Sequence, residues 1–294
     1  ADHSMQTNKS MVFIKRIAQH FLESPTQLPP ALVITAPRAA GKTHLAQASF
    51  PAHRHISLAL PSEADSAQRD PAAFLAAHPQ PVVIDDAHLA PRLIHHVGRL
   101  TAGQPSAPSA GYVLVGSRPL LLAAAAEEAF ADPRAIIRVT GLSHAEAAAA
   151  RPDLPLVERL FRGGYPALYA NPMADVTEFM RLLVADHLVR ELPEQLRVDS
   201  VHDFERFLRA AAMRTGRLLN KASLAREVGI AGSTAAIWLD TLAEAGIVTL
   251  LQPWRPPQGR PLVKTPKLFF NDTGLCAHLL GIRSAEELAA SPHA

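Results

Sequence analysis

The chain has 294 residues, 48% of them hydrophobic, and 29 lysines and arginines against 27 acids give a formal net charge of +2. That length supports two or three domains with their own cores, and the near-balance of charge supplies no whole-molecule field that demands nucleic acid or an anionic surface. A single cysteine, Cys276, excludes an internal disulfide and suits a reducing compartment; polar Ala1–Ser10 lacks the apolar core of a signal peptide, and no run approaches the ~20 apolar residues of a membrane span, so the expectation is a cytoplasmic protein with no membrane partner.

Met11 to Leu22 carries apolar residues at helical spacing and predicts a leading helix, broken by Pro25, Pro29 and Pro30. Ala31–Thr35 is a short apolar, β-branched run that suits a buried strand. Pro81–Ile84, Tyr112–Val115 and Ile136–Thr140 repeat the pattern, with helical or loop sequence between them and a small, polar loop at Ala102–Gly111. Such alternation predicts an α/β fold, a mostly parallel sheet covered on both faces. From Ser143 to about Leu218 the chain is rich in alanine, leucine and arginine and reads as helical. A helix at Ser223–Val228, a turn at Gly229–Gly232 and a helix from Ser233 to Ala245 follow, with Ser233 as N-cap and Gly246 as stop. Strands at Ile247–Leu251 and Lys267–Phe270, joined by Gln252–Pro266, complete the pattern of a winged helix. The expected division is a P-loop domain at 11–142, a helical lid at 143–198, and a winged-helix domain with the start of a C-terminal extension at 199–294.

The chemistry concentrates after the first predicted strand. Ala36-Pro37-Arg38-Ala39-Ala40-Gly41-Lys42-Thr43 fits the phosphate-binding P-loop, with alanine at the first glycine position. Such a loop turns backbone N–H groups onto phosphate oxygens, and the helix that follows presents its positive end, where His44 joins the nucleotide-contacting set. Lys42 is placed to reach the β- and γ-phosphates of ATP and Thr43 to ligate Mg2+. A Cβ at Ala36 forbids a glycine-only backbone there, which sets an expectation of weakened function at that position.

Pro81–Ile84 ends in Asp85-Asp86, 43 residues beyond Lys42, the pattern of a Walker B strand. Asp85 would hold the metal with Thr43, and Asp86 would orient the attacking water. Aspartate at position 86 is one methylene shorter than glutamate, so slow or absent hydrolysis stays open. Ser117 ends the third predicted strand where a γ-phosphate sensor sits, beside Arg118; Arg134 and Arg138 flank the fourth as candidate arginine fingers, in cis or from a neighbouring subunit.

Together these motifs resemble a prokaryotic family of AAA-type P-loop ATPases with a C-terminal domain of unknown function. The likeness runs through Val33–Leu45, Val82–Pro91, Val113–Ser117, the Gly-Gly-Tyr-Pro turn at Gly163–Pro166, and the signature Lys267-Leu268-Phe269-Phe270-Asn271-Asp272-Thr273-Gly274-Leu275. It implies ATP as nucleotide, a Mg-dependent ATPase and nucleotide-driven movement of the winged helix. Ala36 and Asp86 depart from the family's usual glycine and glutamate. Relatives usually continue into a restriction-endonuclease-like region, so nuclease chemistry is not carried over. Asp272-Thr273-Gly274 also resembles the aspartic-protease triplet, which needs two carboxylates and hence a symmetric dimer.

Two other readings stand beside the ATPase: a non-hydrolysing, nucleotide-gated interaction module, and a winged-helix DNA-binding regulator. Ser233–Ala245 contains no lysine or arginine, which argues against a major-groove reader, and its Ile237, Trp238 and Leu242 read as core or interface. Arg255, Arg260, Lys264 and Lys267 form a basic wing that would meet phosphates, and Trp254 beside it reads as packing back onto the core. The winged helix is therefore expected to pack on the ATPase domain or on a protein partner, with DNA as the alternative through the basic wing, and an oligomer is compatible with the chain. No metal-ligand spacing for zinc is present, and Cys276 reads as a buried apolar residue.

Overall fold

Continuous apolar runs become the interior strands of a parallel sheet. The computed structural model describes residues 14–23, 28–171, 173–192, 200–254 and 265–292. Within them β1 (Ala31–Thr35), β2 (Arg54–Ser57), β3 (Val82–Asp85), β4 (Tyr112–Gly116) and β5 (Ile136–Arg138) form one sheet in the order β2-β3-β4-β1-β5, every pair parallel. All five residues of β1 are buried, as a central strand with both faces covered must be. Alternate residues point to opposite faces. Ala31 and Val33 join a core with Phe74, Ile84, Leu93 and Leu114, whereas Leu32 and Ile34 join one with Leu45, Phe50, Val83 and Val113.

Helices cover both faces: α1 (Ile17–Leu22), α2 (Lys42–Ser49), α3 (Pro61–Arg69), α4 (Pro71–Ala77), α5 (Pro91–Thr101) and α6 (Pro119–Ala129). The start of the predicted leading helix, Met11–Phe13, lies outside the described residues. Strand β2 is the edge strand that periodicity missed: it is mostly exposed and carries no apolar run. Because β1 runs parallel to β3 and β4, their C-terminal ends share one edge of the sheet, where the loop after β1, Asp85-Asp86 and Ser117 all lie.

Beyond the sheet, α7 (His144–Ala150), α8 (Leu156–Arg162), α9 (Pro166–Ala170) and α10 (Val176–Leu183) are followed by a π-helical turn at Val184–Glu191. The C-terminal module contains α11 (Val201–Ala212), α12 (Lys221–Val228), α13 (Gly232–Glu244), an antiparallel pair β6 (Val248–Leu251) and β7 (Lys267–Phe270), then α14 (Thr273–Leu279) and α15 (Ala285–Ala290). One hydrophobic core runs from Leu142 to Leu288, so the helical segment and the C-terminal module are packed as a unit. At its centre Trp238 stands edge-on to Phe204 and Phe207, with ring centroids 5.1 and 5.2 Å away.

Two local expectations change, at the N-cap of α13 and at Trp254. The N-cap of α13 is Ala231, not Ser233, which sits inside the helix. Trp238 and Leu242 are buried, but Ile237 is 55% exposed on the other face of the helix. Trp254 is 78% exposed and does not pack back onto the core. The basic residues Arg255, Arg260 and Lys264 lie outside the described residues; Lys267 is exposed at the start of β7.

Gly246 stops α13 at φ +73°, and a Cβ there would lie 2.7 Å from the Pro37 ring and 2.9 Å from that of Pro119. The C-terminal module therefore rests directly on the loop after β1. Gly246→Ala is expected to lower the unfolding free energy by about 1–2 kcal/mol from the left-handed backbone alone, with more from the collision. Urea unfolding of the two proteins checks it, and coincident curves would refute the contact.

Candidate functional site

The loop from Ala36 to Thr43 leaves the sheet from an interior strand, β1, which lies between β4 and β5. Ala36 is fully buried, and its N–H donates to the Gly116 carbonyl at 3.2 Å, which ties the loop to the end of β4. Within the loop the left-handed residues are Ala39 (φ 61°) and Gly41 (φ 83°), not Ala36. The Cβ at Ala36 thus meets no conformational barrier, and the strained alanine stands three residues later. Gly41 caps α2, and a Cβ on it would approach Pro166 to 3.2 Å, so the Gly-Gly-Tyr-Pro turn closes over the loop.

Lys42, Thr43 and His44 line a cleft of about 480 Å³ whose apolar side is built by Ile14, Leu45 and Pro166. Pro37, Arg38 and Ala40 complete the loop, with Arg38 and Ala39 exposed and Ala40 buried. The Thr43 hydroxyl donates to Asp85 Oδ2 at 2.5 Å, although the two residues belong to different elements. Asp85 Oδ1 in turn accepts the Asp86 N–H at 2.8 Å, which fixes the carboxylate plane. Two hard oxygen donors converging beside a P-loop suit Mg2+, which takes one or two protein oxygens and keeps several waters.

Asp86 is turned by a left-handed backbone (φ 58°), and its carboxylate accepts the Ser57 hydroxyl at 3.3 Å, on the β2 side of the site. His88 points the other way. Its imidazole lies against Gly116, where a Cβ would be 3.0 Å from Nδ1, and it shares a small cavity with Arg38, Ser117 and Arg118. Burial lowers the His88 pKa below the ordinary range; Asp86 pulls it up, and Lys42 and Arg118 push it down further. A neutral imidazole therefore stands beside the sensor position. Sequence reasoning missed His88, and the available signal was a histidine two residues past the paired carboxylates.

Arg134 is not brought to the site. Ile136 pairs with Val33, so Arg134 lies toward the opposite end of the sheet, held by Asp132 through contacts of 2.7–3.1 Å. Arg138 lies level with Thr35 at the correct end, but it is exposed and ion-paired with Glu127. Arg118 bridges to Glu244 of α13 at 3.0 Å, a second tie between the sensor turn and the C-terminal module.

The signature around Asp272 is a clamp. Its carboxylate accepts the Leu275 N–H at 2.7 Å, capping α14, and the Gly164 N–H at 2.7 Å, holding the turn over the loop. Desolvation pushes the Asp272 carboxyl up to about 6, against the opposing pull of the N–H groups of Gly164, Leu275 and Gly274. Asn271 bonds Thr249 and the Gly246 carbonyl, and the Thr273 hydroxyl bonds the Leu160 carbonyl. Every polar residue of the triplet is committed to backbone, as a structural joint requires.

Residues 28–148 match the AAA domain family, and residues 154–286 match a domain family of unknown function. Uncharacterized proteins of Mycobacterium tuberculosis and Mycobacterium bovis are each 28% identical over 286 residues, which is 96% of this chain. The chain spans 63% of the length of either relative. Among solved structures, a Walker-type ATPase of Pyrococcus abyssi matches with a TM-score of 0.58 at 15% identity, covering 91% of this chain and 96% of its own. Among the described residues, no helix is long and apolar enough to cross a membrane.

Proposed function

Starting from the premise that this chain belongs to the AAA-type P-loop ATPases, we propose that it binds Mg-ATP and uses nucleotide state to move its C-terminal module. The observation that carries this reading is the bond between Thr43 and Asp85, which joins the P-loop to the neighbouring carboxylate where a nucleotide-bound metal sits. The loop N–H groups and Lys42 bind the phosphates, and the apolar side of the cleft takes the base. Bound Mg2+ neutralises phosphate charge and polarises the terminal phosphoryl group. Thr43 and Asp85 would hold it.

Asp86 orients water only after leaving Ser57, while His88 and Ser117 already face the cavity beside Arg118. Binding is therefore expected to exceed turnover. Equilibrium titration with labelled ATP and magnesium, then phosphate release, tests this. Lys42→Ala should weaken ATP binding by at least tenfold, since it removes a charged phosphate contact. Asp86→Glu should raise release, because the longer carboxylate reaches further. Parent and Lys42→Ala proteins binding ATP equally would overturn the reading.

The C-terminal module is read as a winged helix facing a protein, or its own ATPase domain, rather than DNA. Its second helix, α13, carries no lysine or arginine, and its end is seated on Pro37 and Pro119. Rearrangement of the P-loop around nucleotide would be felt there first, through Gly246 and the Arg118–Glu244 pair.

A further inference from the structure

Arg16 lies ahead of the matched AAA domain, yet its side chain is only 5% exposed. A guanidinium remains charged when buried, so its donors must be satisfied. Nε donates to Glu146 Oε1 at 3.0 Å, and the terminal nitrogens donate to the carbonyls of Ala40 (2.9 Å), Thr140 (2.9 Å) and Gly141 (3.2 Å). Those carbonyls belong to the P-loop and to the junction between the sheet and the helical segment.

Glu146 completes the joint. It accepts the Ile17 N–H and the Ser143 N–H, both at 2.7 Å, closing the capping box of α7. Burial pushes its pKa up, but these two N–H groups and the Arg16 charge together outweigh that and hold it below the ordinary carboxylate range.

The geometry of the peptide unit gives Arg16 a role beyond packing. In a trans peptide the C=O and the following N–H point in opposite directions. Holding the Ala40 carbonyl on Arg16 therefore fixes the Gly41 N–H on the opposite side of that peptide plane. Arg16 also borders the cleft beside Lys42 and Pro166. Its other two carbonyl partners adjoin the turn over the loop, where the Leu142 N–H donates to the Gly164 carbonyl at 2.6 Å.

We propose that Arg16 is the positioning residue of the nucleotide site: it sets the Ala40–Gly41 peptide for phosphate binding and couples it to the Thr140–Gly141 junction. The proposal deepens, and rests on, the nucleotide-binding reading above. Lysine at this position can keep the pair with Glu146 but cannot hold three carbonyls with a planar fork.

The test uses the full chain as parent, Arg16→Lys, Arg16→Gln, Glu146→Gln and Lys42→Ala. Fluorescent ADP and ATP are titrated with magnesium, and hydrogen exchange is followed without nucleotide. Both Arg16 variants should bind ADP and ATP more weakly by a common factor of about tenfold or more, because both nucleotides use the same loop amides. Glutamine should be the weaker binder of the two. Amide exchange should quicken together at 38–43 and 140–146 in the Arg16 variants, less in Glu146→Gln, and not in Lys42→Ala. A purely structural role would lower the melting temperature without that shared factor or paired exchange. Arg16 variants that bind within about twofold of the parent, with unchanged exchange at 38–43, would overturn the proposal. If the parent binds neither nucleotide, the proposed function falls. In that event, exchange at 38–43 unchanged by Arg16→Lys overturns the positioning role as well, and quickened exchange leaves it as a property of the loop.

Discussion

Replacing Asp85 by asparagine is expected to lower phosphate release by about a thousandfold and to erase the effect of magnesium on ATP affinity. The amide is nearly the same size and can still accept the Asp86 N–H, which Asp85 Oδ1 now receives at 2.8 Å. It lacks the negative charge that a divalent ion needs. It also turns either a weaker acceptor or an N–H₂ group toward the Thr43 hydroxyl, now bonded to Oδ2 at 2.5 Å. Loss of metal binding removes the charge that offsets the terminal phosphates, and phosphoryl transfer is mainly electrostatic. ATP titrations with and without magnesium, on parent and variant, measure the affinity effect, and phosphate release measures the rate. An equal magnesium response in both proteins would remove Asp85 from the metal site. A thermal melt controls for folding, which should change little because the residue lies half-buried at a strand end.

Much of this site was legible in the sequence because its parts are local. Phosphate binding by a loop needs contiguous glycine, lysine and hydroxyl, and Gly41, Lys42 and Thr43 stand together. Central parallel strands are buried on both faces, so Ala31–Thr35 announces itself as an unbroken apolar run. Edge strand β2 has no such constraint, and Arg54-His55-Ile56-Ser57 carries no periodic signal. The doubt over Ala36 came from assigning the left-handed backbone by motif position, whereas the folded loop puts that conformation at Ala39 and Gly41. Arg134 looked like a candidate finger because it adjoins a strand; only the register, Ile136 opposite Val33, shows that it adjoins the distant end. Arg16 was invisible for a different reason. Its carbonyl partners in the junction and its carboxylate partner lie more than a hundred residues away, and alone it reads as a charge on an exposed helix.

The Asp272 clamp was visible as a pattern but not as a device, and its protonation gives the second large effect. Its carboxyl is raised from the ordinary 3.8 to about 6 in the folded chain, through desolvation under the Gly163–Gly164 turn. Between about pH 4 and pH 6 the native state holds a proton that the unfolded state has lost. Stability from this group therefore falls as pH rises through that window and is level above it. Asp272→Asn has no such proton. Subtracting its unfolding free energy from that of the parent cancels the other titrating groups and isolates this one. The difference should drop by roughly 2.4 kcal/mol between pH 4 and pH 7, most of the effect of a shift of about two pKa units. Its absolute value depends also on the bonds to Gly164 and Leu275, both at 2.7 Å, because an asparagine oxygen can serve only one of those N–H groups well. The slope is thus the diagnostic quantity, and urea unfolding at several pH values measures it. Parallel curves would mean that the carboxyl is solvated when folded and that the turn over the P-loop is open in solution. The expected slope would mean that the turn stays closed, pinned by a carboxylate whose ionisation costs stability at neutral pH.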